Sequence, residues 1–352
     1  TVVEGPRVDP GAPRSLQNQT SSTSKSAIVQ IDTDEGLTGW RARSGDGVPG
    51  VSGRGMRAKA NEQGKGRAPL NIESFHQECV FERRLKSGLE MALWDIAGKA
   101  AAVPVAILLG GIIRDEVEVA ACMGIQTYEK AGEIASFYVE QGFGTLKTKA
   151  GHDMEEDLAM VKGVRDAVGH KLKLRIDPNR GYEPKEAAEL AKRLEEYQLE
   201  YLEQPIPAEP LSDATWLRQQ SKTPIALNES VTTPASAWEI LKAEAADFLL
   251  PDMPEAEGIL PCVKIAHLAE AAGIPCIIHC GHDMGPKTAA MVQCAAACPA
   301  FSLANDTTIY GLESDITLEP LVIHQGRIRL PNKAGLGVEG DPEKIQHYAV
   351  DC

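Results

Sequence analysis

A regular alternation of strand-like and helix-like segments constrains the fold of this chain more than any other feature. From residue 117 onward, apolar segments that read as strands begin about every 22 to 28 residues. They are, in order, VEVAACM, TLKTKAG, LKLRIDPN, LEYLEQP, PIALNES, ADFLLPD, IPCIIHC and AFSLAND. Amphipathic stretches with helical spacing, such as PKEAAELAKRLEEY, lie between them. Eight β-then-α units at this period are typical of a (β/α)8 barrel. An open doubly wound sheet is less favoured, because no glycine-rich phosphate turn follows the first strand.

The N-terminal third has a different pattern and predicts a small α+β unit. KSAIVQIDTDEGLTGW reads as two strands joined by a turn, and LKSGLEMALWDIAGKAAAV has the apolar spacing of a helix. The stretch before this strand pair and residues 45–66 show no periodicity, and the second of them reads as a long loop. Near the C-terminus, ITLEPLVIHQGRIRLP reads as two strands that return to this unit. We therefore place the α+β unit at residues 1–115, with residues 320–352 returning to it, and the barrel at 116–319.

Composition excludes several classes of partner. The chain has 352 residues, a formal net charge of −14 and a pI of about 5.1. An acidic surface of this size argues against nucleic acid and against an anionic membrane. No apolar run is long enough to span a bilayer, and no secretory signal is visible. The eight cysteines form no CxxC motif, so we expect them to be reduced and the protein to be cytoplasmic.

Polar side chains follow the apolar part of every strand from the second to the eighth. In a barrel, these strand ends meet at one rim, which is where barrel active sites are built. Carboxylates follow three consecutive strands, with a lysine before them and a histidine after them, and solvent-exposed loops would not produce such an order. The rim residues are Lys149, Asp177, Asn179, Glu203, Asn228, Glu229, Asp252, His279, Asn305 and Asp306.

The carboxylates predict a magnesium site. Asp177, Glu203 and either Glu229 or Asn228 are hard oxygen ligands from neighbouring strands. Such a set suits Mg²⁺, which keeps open positions for water and substrate oxygens. Zinc is less favoured, because no cysteine or histidine lies beside these carboxylates in the sequence. We favour Glu229 as the third ligand because it adds a third negative charge, and Asn228 is the alternative.

Two further groups of residues predict acid–base chemistry. Lys147 and Lys149 lie two apart in TLKTKAG, so they face the same side of a strand. Inside a barrel, two such ammonium groups are costly unless an anion is bound. On adjacent strands, Asp252 can fix the tautomer of His279 and leave the other ring nitrogen free for proton transfer. Beyond His279, residues 282 and 283 are expected to lie in a loop.

Six of these motifs, in register on successive strands, resemble the enolase superfamily and within it the mandelate racemase and muconate-lactonizing enzyme group. They are LKTKAG, RIDPNRGY, YLEQP, ALNES, LLPD and IIHC. The resemblance implies an α+β capping domain over a modified (β/α)7β barrel. It also implies bound Mg²⁺, removal of the proton α to a substrate carboxylate through an enediolate, and an even-numbered homo-oligomer.

The resemblance also assigns roles to individual residues. Asp177 and Glu203 are similar to the family's first two metal ligands, and Lys149 to the base on one face, with Lys147 binding the carboxylate. Crowding beside Lys147 and desolvation would lower the pKa of Lys149 and make it a usable base. On the other face stands His279 with its aspartate, a pair similar to that of mandelate racemase. This match favours the racemase and acid-sugar dehydratase branch, because other branches carry a lysine on that face.

Some positions near the site depart from the pattern or bear on substrate recognition. Where mandelate racemase has a glutamate on strand eight, this chain has Ala304, and Asn305 or Asp306 would have to substitute. This departure argues against mandelate as the substrate. Asn179 and Arg180, after the third strand, are candidate contacts to the distal end of a polar substrate.

The residue set predicts a small carboxylate as substrate and favours dehydration of an acid sugar or related hydroxy acid. The candidate site is polar and weakly aromatic, and residues 10–24 and 44–66 are expected to close over the ligand. Racemisation or epimerisation of a hydroxy or amino acid derivative is the alternative, since acid–base groups lie on both faces. A non-catalytic binding barrel and an aldolase with a Schiff-base lysine are more distant, because neither uses the full set of carboxylates.

Overall fold

The structure is a computed structural model that describes residues 1–8, 11, 23–44, 69–281 and 283–350. Its N-terminal part is formed by an antiparallel sheet and helices. The strands are β1 (Val2–Pro6), β2 (Thr23–Asp32) and β3 (Thr38–Ser44), and the helices are α1 (Ile72–Glu78), α2 (Arg83–Ala100) and α3 (Val105–Leu108). The predicted strand pair and the predicted helix are present as β2–β3 and α2. The first strand lies where the sequence showed no periodicity. The predicted loop at residues 45–66 lies outside the described residues.

The hairpin β2–β3 packs directly against α2. A β-carbon built on Gly39 would come within 2.3 Å of the carbonyl oxygen of Ala92, so only glycine allows the strand to approach the helix this closely. The backbone N–H of the next residue, Trp40, donates to the buried carboxylate of Asp95 at 3.0 Å. Sheet and helix are therefore held together by backbone contact as well as by side-chain packing.

Parallel strands follow in the order that the sequence predicts. They are β4 (Glu116–Met123), β5 (Thr145–Lys149), β6 (Lys173–Asp177), β7 (Tyr201–Glu203), β8 (Ile225–Leu227), β9 (Phe248–Leu249) and β10 (Asn305–Asp306). Each of the strands from β4 to β8 pairs in parallel with the next one along the chain, which ends this run at β9. Their apolar side chains, such as Leu174 and Ile176, are fully buried, as expected for strands covered on both faces.

The ring of strands is closed through a segment that is not a regular strand. In the predicted seventh strand, Cys276 bridges to Leu249 and His279 bridges to Asp252. On its other side, the N–H of Asp306 donates to the carbonyl oxygen of Ile278. Strand β10 then pairs in parallel with β4. The described residues thus give eight strand positions in a closed barrel.

Helices follow seven of the eight strand positions in the described chain. They are α4 (Tyr128–Glu140), α5 (Met154–Val168), α6 (Pro184–Leu194), α7 (Leu211–Arg218), α8 (Pro234–Lys242), α9 (Met253–Ala256) with α10 (Ile259–Ala272), and α11 (Gly285–Ala297). No helix separates β10 from the C-terminal segment within the described residues, apart from a short 3₁₀ turn. The architecture is therefore the expected modified barrel of the (β/α)7β type.

The C-terminal segment returns to both parts of the fold. The predicted strand pair is present as β11 (Ile323–His324) and β12 (Arg327–Arg329), but β12 pairs with residues 116–118 of β4 rather than with the N-terminal sheet. The expected return is made by the later strand β13 (Ala349–Val350), after α12 (Pro342–His347), because β13 pairs with β1. The sheet of the N-terminal unit therefore has the strand order β13-β1-β2-β3.

The state of the cysteines agrees with the sequence in the part of the chain that the structure describes. The described cysteines are free, and all but Cys122 are buried. None of the described helices is long and apolar enough to cross a bilayer.

Candidate active site

A cluster of oppositely charged side chains occupies the rim at which the parallel strands end. The ammonium of Lys147 lies 2.7 Å from Glu203 Oε1, 3.0 Å from Asp306 Oδ2 and 3.3 Å from Asp177 Oδ2. The ammonium of Lys149 lies 2.6 Å from the same Asp177 oxygen. All of these residues are buried except Lys149, which is partly exposed. The lysines of TLKTKAG therefore point toward the carboxylates of the barrel, as predicted.

Strand register brings these residues together. In the parallel pair β5–β6, Lys149 is aligned with Asp177 and Lys147 with Arg175. The chain then turns sharply, and Asp177 Oδ1 accepts from the backbone N–H of Asn179, which has a left-handed conformation with φ of 48°. This turn fixes the carboxylate at the strand end and leaves its other oxygen to face the lysines.

The pKa of Lys149 is shifted in the opposite direction from the one that the sequence predicted. Burial and the neighbouring Lys147 do disfavour its charged form, but the Asp177 carboxylate at 2.6 Å and the charge of Glu203 together raise the pKa of Lys149. Burial likewise opposes the charge of Lys147, and three carboxylates nonetheless raise the pKa of Lys147 well above its ordinary value. A cation bound to these carboxylates would offset their charge and lessen this effect.

His279 and Asp252 form the expected pair. The ring nitrogen Nδ1 of His279 lies 3.5 Å from Asp252 Oδ2, and Nε2 lies 3.5 Å from Glu203 Oε1. Burial and Lys147 disfavour the charged imidazolium, but the contact with Asp252 and the charge of Glu203 raise the pKa of His279 overall. Lys149 and His279 stand at strand positions two and seven of eight, so they approach the carboxylate pair from different sides.

Two of the carboxylates fit a divalent cation. Ligand atoms of Asp177, Glu203 and His279 all lie within 4.8 Å of one another. Burial and the charge of Asp177 raise the pKa of Glu203 to about 7, and Glu203 Oε2 is buried with no hydrogen-bond partner among the described residues. A buried oxygen without a donor, beside a second carboxylate, is where a bound cation would be stabilised. Two hard oxygen ligands of this kind fit Mg²⁺.

The two residues that the sequence offered as third ligand lie outside this group of three. The carboxylate of Glu229, which the sequence favoured, lies 3.3 Å from the guanidinium of Arg180. Asn228 is buried, and its amide nitrogen donates to the carbonyl oxygen of Leu250 at 2.7 Å, which leaves the amide oxygen for a ligand. One oxygen of Glu229 thus faces Arg180, and its other oxygen is buried with no hydrogen-bond partner among the described residues. Both Glu229 and Asn228 offer an oxygen to a cation.

The candidate substrate-binding residues have different environments. Arg180 is half exposed and pairs with Glu229, beside Asn179 at the rim. Asn305 is fully buried, where its oxygen accepts from the N–H of Ile278 and its nitrogen donates to Leu303, so it holds the barrel wall. Asp306 is buried between Lys147 and Arg175, and these cations lower the pKa of Asp306 despite its burial.

Family models match both parts of the chain. Residues 130–344 match the model described as enolase C-terminal domain-like, and residues 1–110 match that of the mandelate racemase / muconate lactonizing enzyme N-terminal domain. A hydrophobic dipeptide epimerase of Enterococcus faecalis is 32% identical over 337 residues, which cover 91% of this chain and 93% of the relative. The chain belongs to the mandelate racemase and muconate lactonizing enzyme group of the enolase superfamily.

Members of this group with different activities are similar to the chain. The D-xylonate dehydratase of Haloferax volcanii is 29% identical, with 92% of this chain and 85% of the relative covered. The solved structure of the dipeptide epimerase from Enterococcus faecalis, complexed with Mg and the dipeptide L-Leu-L-Tyr, has a TM-score of 0.87 and 29% identity, covering 96% of this chain and 98% of that one. The family and fold predicted from the sequence are confirmed, and the protein is an enzyme of this group.

Sequence reasoning missed residues that support the site from behind. Lys287 and Asp283 are buried and lie next to the His279–Asp252 pair. Asp157, in the first turn of α5, accepts from the N–H of Gly151 at 2.6 Å and from the hydroxyl of Tyr182. These side chains come from helices and loops rather than from strand ends. The spacing of four residues between Asp283 and Lys287 was a weak signal for an ion pair.

Proposed function

We propose that this enzyme removes the proton α to the carboxylate of a small hydroxy acid and eliminates the β-hydroxyl group, as an acid-sugar dehydratase does. The observation that carries the proposal is the placement of two different acid–base groups around one carboxylate pair. Lys149 contacts Asp177, and the histidine of the His279–Asp252 pair contacts Glu203. Such an arrangement allows a base to act on one side of a substrate and an acid to act on the other.

The residues take distinct roles in this reaction. Lys147 binds the substrate carboxylate, and Lys149 accepts the α-proton. His279 donates a proton from Nε2 to the departing hydroxyl while Asp252 holds Nδ1. Asp177 and Glu203, with Asn228 as the proposed third ligand, would hold Mg²⁺, whose charge stabilises the enediolate form of the substrate carboxylate.

Racemisation or epimerisation is the second candidate. The same placement of acid–base groups would allow the intermediate to be reprotonated from the opposite side. The similarity to the dipeptide epimerase of Enterococcus faecalis favours this outcome. The two candidates share the first proton transfer and differ in whether His279 protonates a leaving hydroxyl or the α-carbon.

A screen by proton NMR in D₂O with Mg²⁺ tests the proposal. D-xylonate and L-Leu-L-Tyr are the first compounds, followed by further acid sugars, hydroxy acids and acylated amino acids. A 2-keto-3-deoxy product supports dehydration. Exchange of the α-proton with inversion but no elimination supports epimerisation.

Two variants separate the roles of the acid–base groups. For a dehydratase, Lys149→Ala should abolish both α-proton exchange and product. His279→Asn should retain exchange and lose the product by about 10² to 10⁴-fold. For an epimerase, each variant should lose exchange for one configuration only. If both variants keep the full activity of the parent enzyme, the assignment of the site is wrong.

A further inference from the structure

A buried lysine lies directly behind the His279–Asp252 pair. Lys287 is 1% exposed and stands in the first turn of α11, outside the ring of strand ends. Its ammonium lies 2.5 Å from Asp283 Oδ2, donates to the carbonyl oxygen of His279 at 2.9 Å, and lies 3.4 Å from Asp252 Oδ1. It therefore contacts the backbone of one member of the pair and the side chain of the other.

Asp252 is held from two sides by different groups. Its Oδ2 faces Nδ1 of His279 at 3.5 Å, and its Oδ1 faces Lys287 at 3.4 Å. Oδ1 is buried and has no hydrogen bond within the described structure, so this ion pair is its compensating contact. Without a cation on that side, Oδ1 would lack a compensating charge. The carboxylate of Asp252 would then rotate to place its oxygens toward the imidazole or toward water.

Asp283 completes the charge balance. It is 1% exposed and contacts Lys287, so the ammonium is shared between the buried carboxylate of Asp283 and the partly buried carboxylate of Asp252. Asp283, Lys287 and Asp252 together carry a single net negative charge, which is what an isolated aspartate would present. The lysine thus fixes the position of Asp252 without cancelling the negative charge that orients the histidine.

We propose that Lys287, held by Asp283, is a positioning residue that fixes the Asp252 carboxylate and through it the tautomer of His279. The inference deepens the proposed function, since it concerns the acid–base group assigned there to the His279 side. It assigns no role to Lys287 on the Lys149 side, where Lys149 contacts Asp177 of β6.

The test is the tautomer of His279, which can be read without a substrate. The full chain is labelled with ¹⁵N-histidine, and long-range ¹H–¹⁵N spectra are recorded in magnesium buffer at a pH at which the ring is neutral. His279→Asn identifies the signal. The parent enzyme should show one tautomer with the proton on Nδ1, and Asp252→Ala should show a mixture.

Variants of the lysine decide the question. Lys287→Met combined with Asp283→Asn removes both buried charges of the brace, so the fold is not left with an unpaired one. This double variant should lose the single tautomer and give a mixture like that of Asp252→Ala, and Lys287→Arg should retain the single tautomer. A double variant that is folded by circular dichroism and keeps the parent's His279 signals would overturn the proposal.

Because the readout is internal to the protein, its failure is distinct from a failure of the proposed function. A screen without any active compound would refute the reaction and leave the tautomer result standing. An unchanged tautomer in the double variant would refute the role of Lys287 and leave the reaction standing. If the double variant does not fold, Lys287→Gln decides: the parent's single tautomer in that folded variant overturns the proposal, and a mixture of tautomers supports it.

Discussion

At the scale of single residues, the neutral side chain at position 228 sets the charge of the proposed metal site. Two carboxylates, Asp177 and Glu203, lie in the cluster, and the neighbouring Glu229 is engaged by Arg180. As the proposed third ligand, Asn228 would add an amide oxygen but no charge. A site with two negative ligands binds a divalent cation less tightly than a site with three.

Asn228→Asp is therefore expected to strengthen Mg²⁺ binding and to lower the stability of the metal-free protein. The new carboxylate adds charge to the site, but it faces the carbonyl oxygen of Leu250 in place of the hydrogen bond that Asn228 donates at 2.7 Å. That loss should cost about 1 to 3 kcal/mol without metal. Thermal unfolding with and without MgCl₂ measures both effects, and the increase in Tm on adding metal should be larger in the variant than in the parent.

Glu229→Gln is the matched control for this prediction. Its carboxylate is 3.3 Å from Arg180, so removal of the charge should leave the Mg²⁺-dependent increase in Tm unchanged. If Glu229→Gln abolishes that increase and Asn228→Asp does not alter it, Glu229 is the third ligand, as the charge argument from the sequence favoured.

The sequence predicted which residues reach the rim better than it predicted their protonation. Strand ends are readable because parallel strands place all their carboxyl ends on one side, and Lys147, Asp177, Glu203 and His279 do meet there. The direction of the pKa shift of Lys149 was not readable. It depends on a 2.6 Å contact that the register of β5 against β6 creates.

At the scale of elements, a buried carboxylate holds the segment that follows β5. Asp157 Oδ2 accepts from the N–H of Gly151 and from Tyr182, and thereby ties α5 to the segment two residues beyond Lys149. Burial raises the pKa of Asp157 from 3.8 to about 6, although both hydrogen bonds oppose this rise. Asp157 therefore takes up a proton when the chain folds at a pH between these two values.

Stability should consequently fall as pH rises from about 4 to about 6 because of this group. An acid whose pKa is raised on folding destabilises the fold above its unfolded pKa, and the full cost is reached above its folded pKa. Asp157→Asn keeps an oxygen to accept both hydrogen bonds but cannot ionise. The Tm of the variant relative to the parent should rise across this range and level off above pH 6. The corresponding gain in the free energy of unfolding is at most about 3 kcal/mol.

A difference in Tm that stays flat from pH 4 to pH 7 would contradict this expectation. Tyr182→Phe provides a comparison, because it removes a hydrogen bond to the carboxylate and leaves its charge in place. That variant should be less stable than the parent at neutral pH, where the carboxylate is charged and has lost a donor.

Elements were predictable where periodicity was long and unpredictable where strands were short. The helix α2 and the strands that carry the site stand out because many residues repeat one pattern. The sheet that β11 and β12 join was not predicted correctly. Strands of two and three residues carry too little pattern to show which sheet edge they pair with. Strand β12 pairs with β4, and Arg327 of β12 lies opposite Glu118 of β4 and forms an ion pair with it.

At the scale of the whole molecule, one glutamate joins the N-terminal unit to the barrel. Glu90 lies in α2 and is fully buried. Its two oxygens accept from the backbone N–H groups of Ile259 and Leu260, each at 2.8 Å, at the start of α10. A β-carbon on the preceding Gly258 would lie 2.2 Å from Glu90 Oε2, so the glycine makes room for this contact. A side chain of one unit thus satisfies the helix terminus of the other.

Removal of this carboxylate should loosen the connection between the two units. Glu90→Ala leaves the N–H groups of Ile259 and Leu260 and the indole N–H of Trp94 without their acceptor, which should cost about 2 to 4 kcal/mol. Urea unfolding followed by tryptophan fluorescence and by far-ultraviolet circular dichroism measures this cost. Trp216 and Trp238 lie in barrel helices, so both are replaced by Phe in the parent and in the variant, and the remaining Trp40 and Trp94 then report on the N-terminal unit. The two transitions should separate, because the dichroism is dominated by the barrel. Glu82→Ala, at the exposed start of α2, removes a helix cap outside this contact and should cost about 1 kcal/mol with coincident transitions. Equal costs in the two variants would show that Glu90 acts as an ordinary cap, and that other contacts hold the units together.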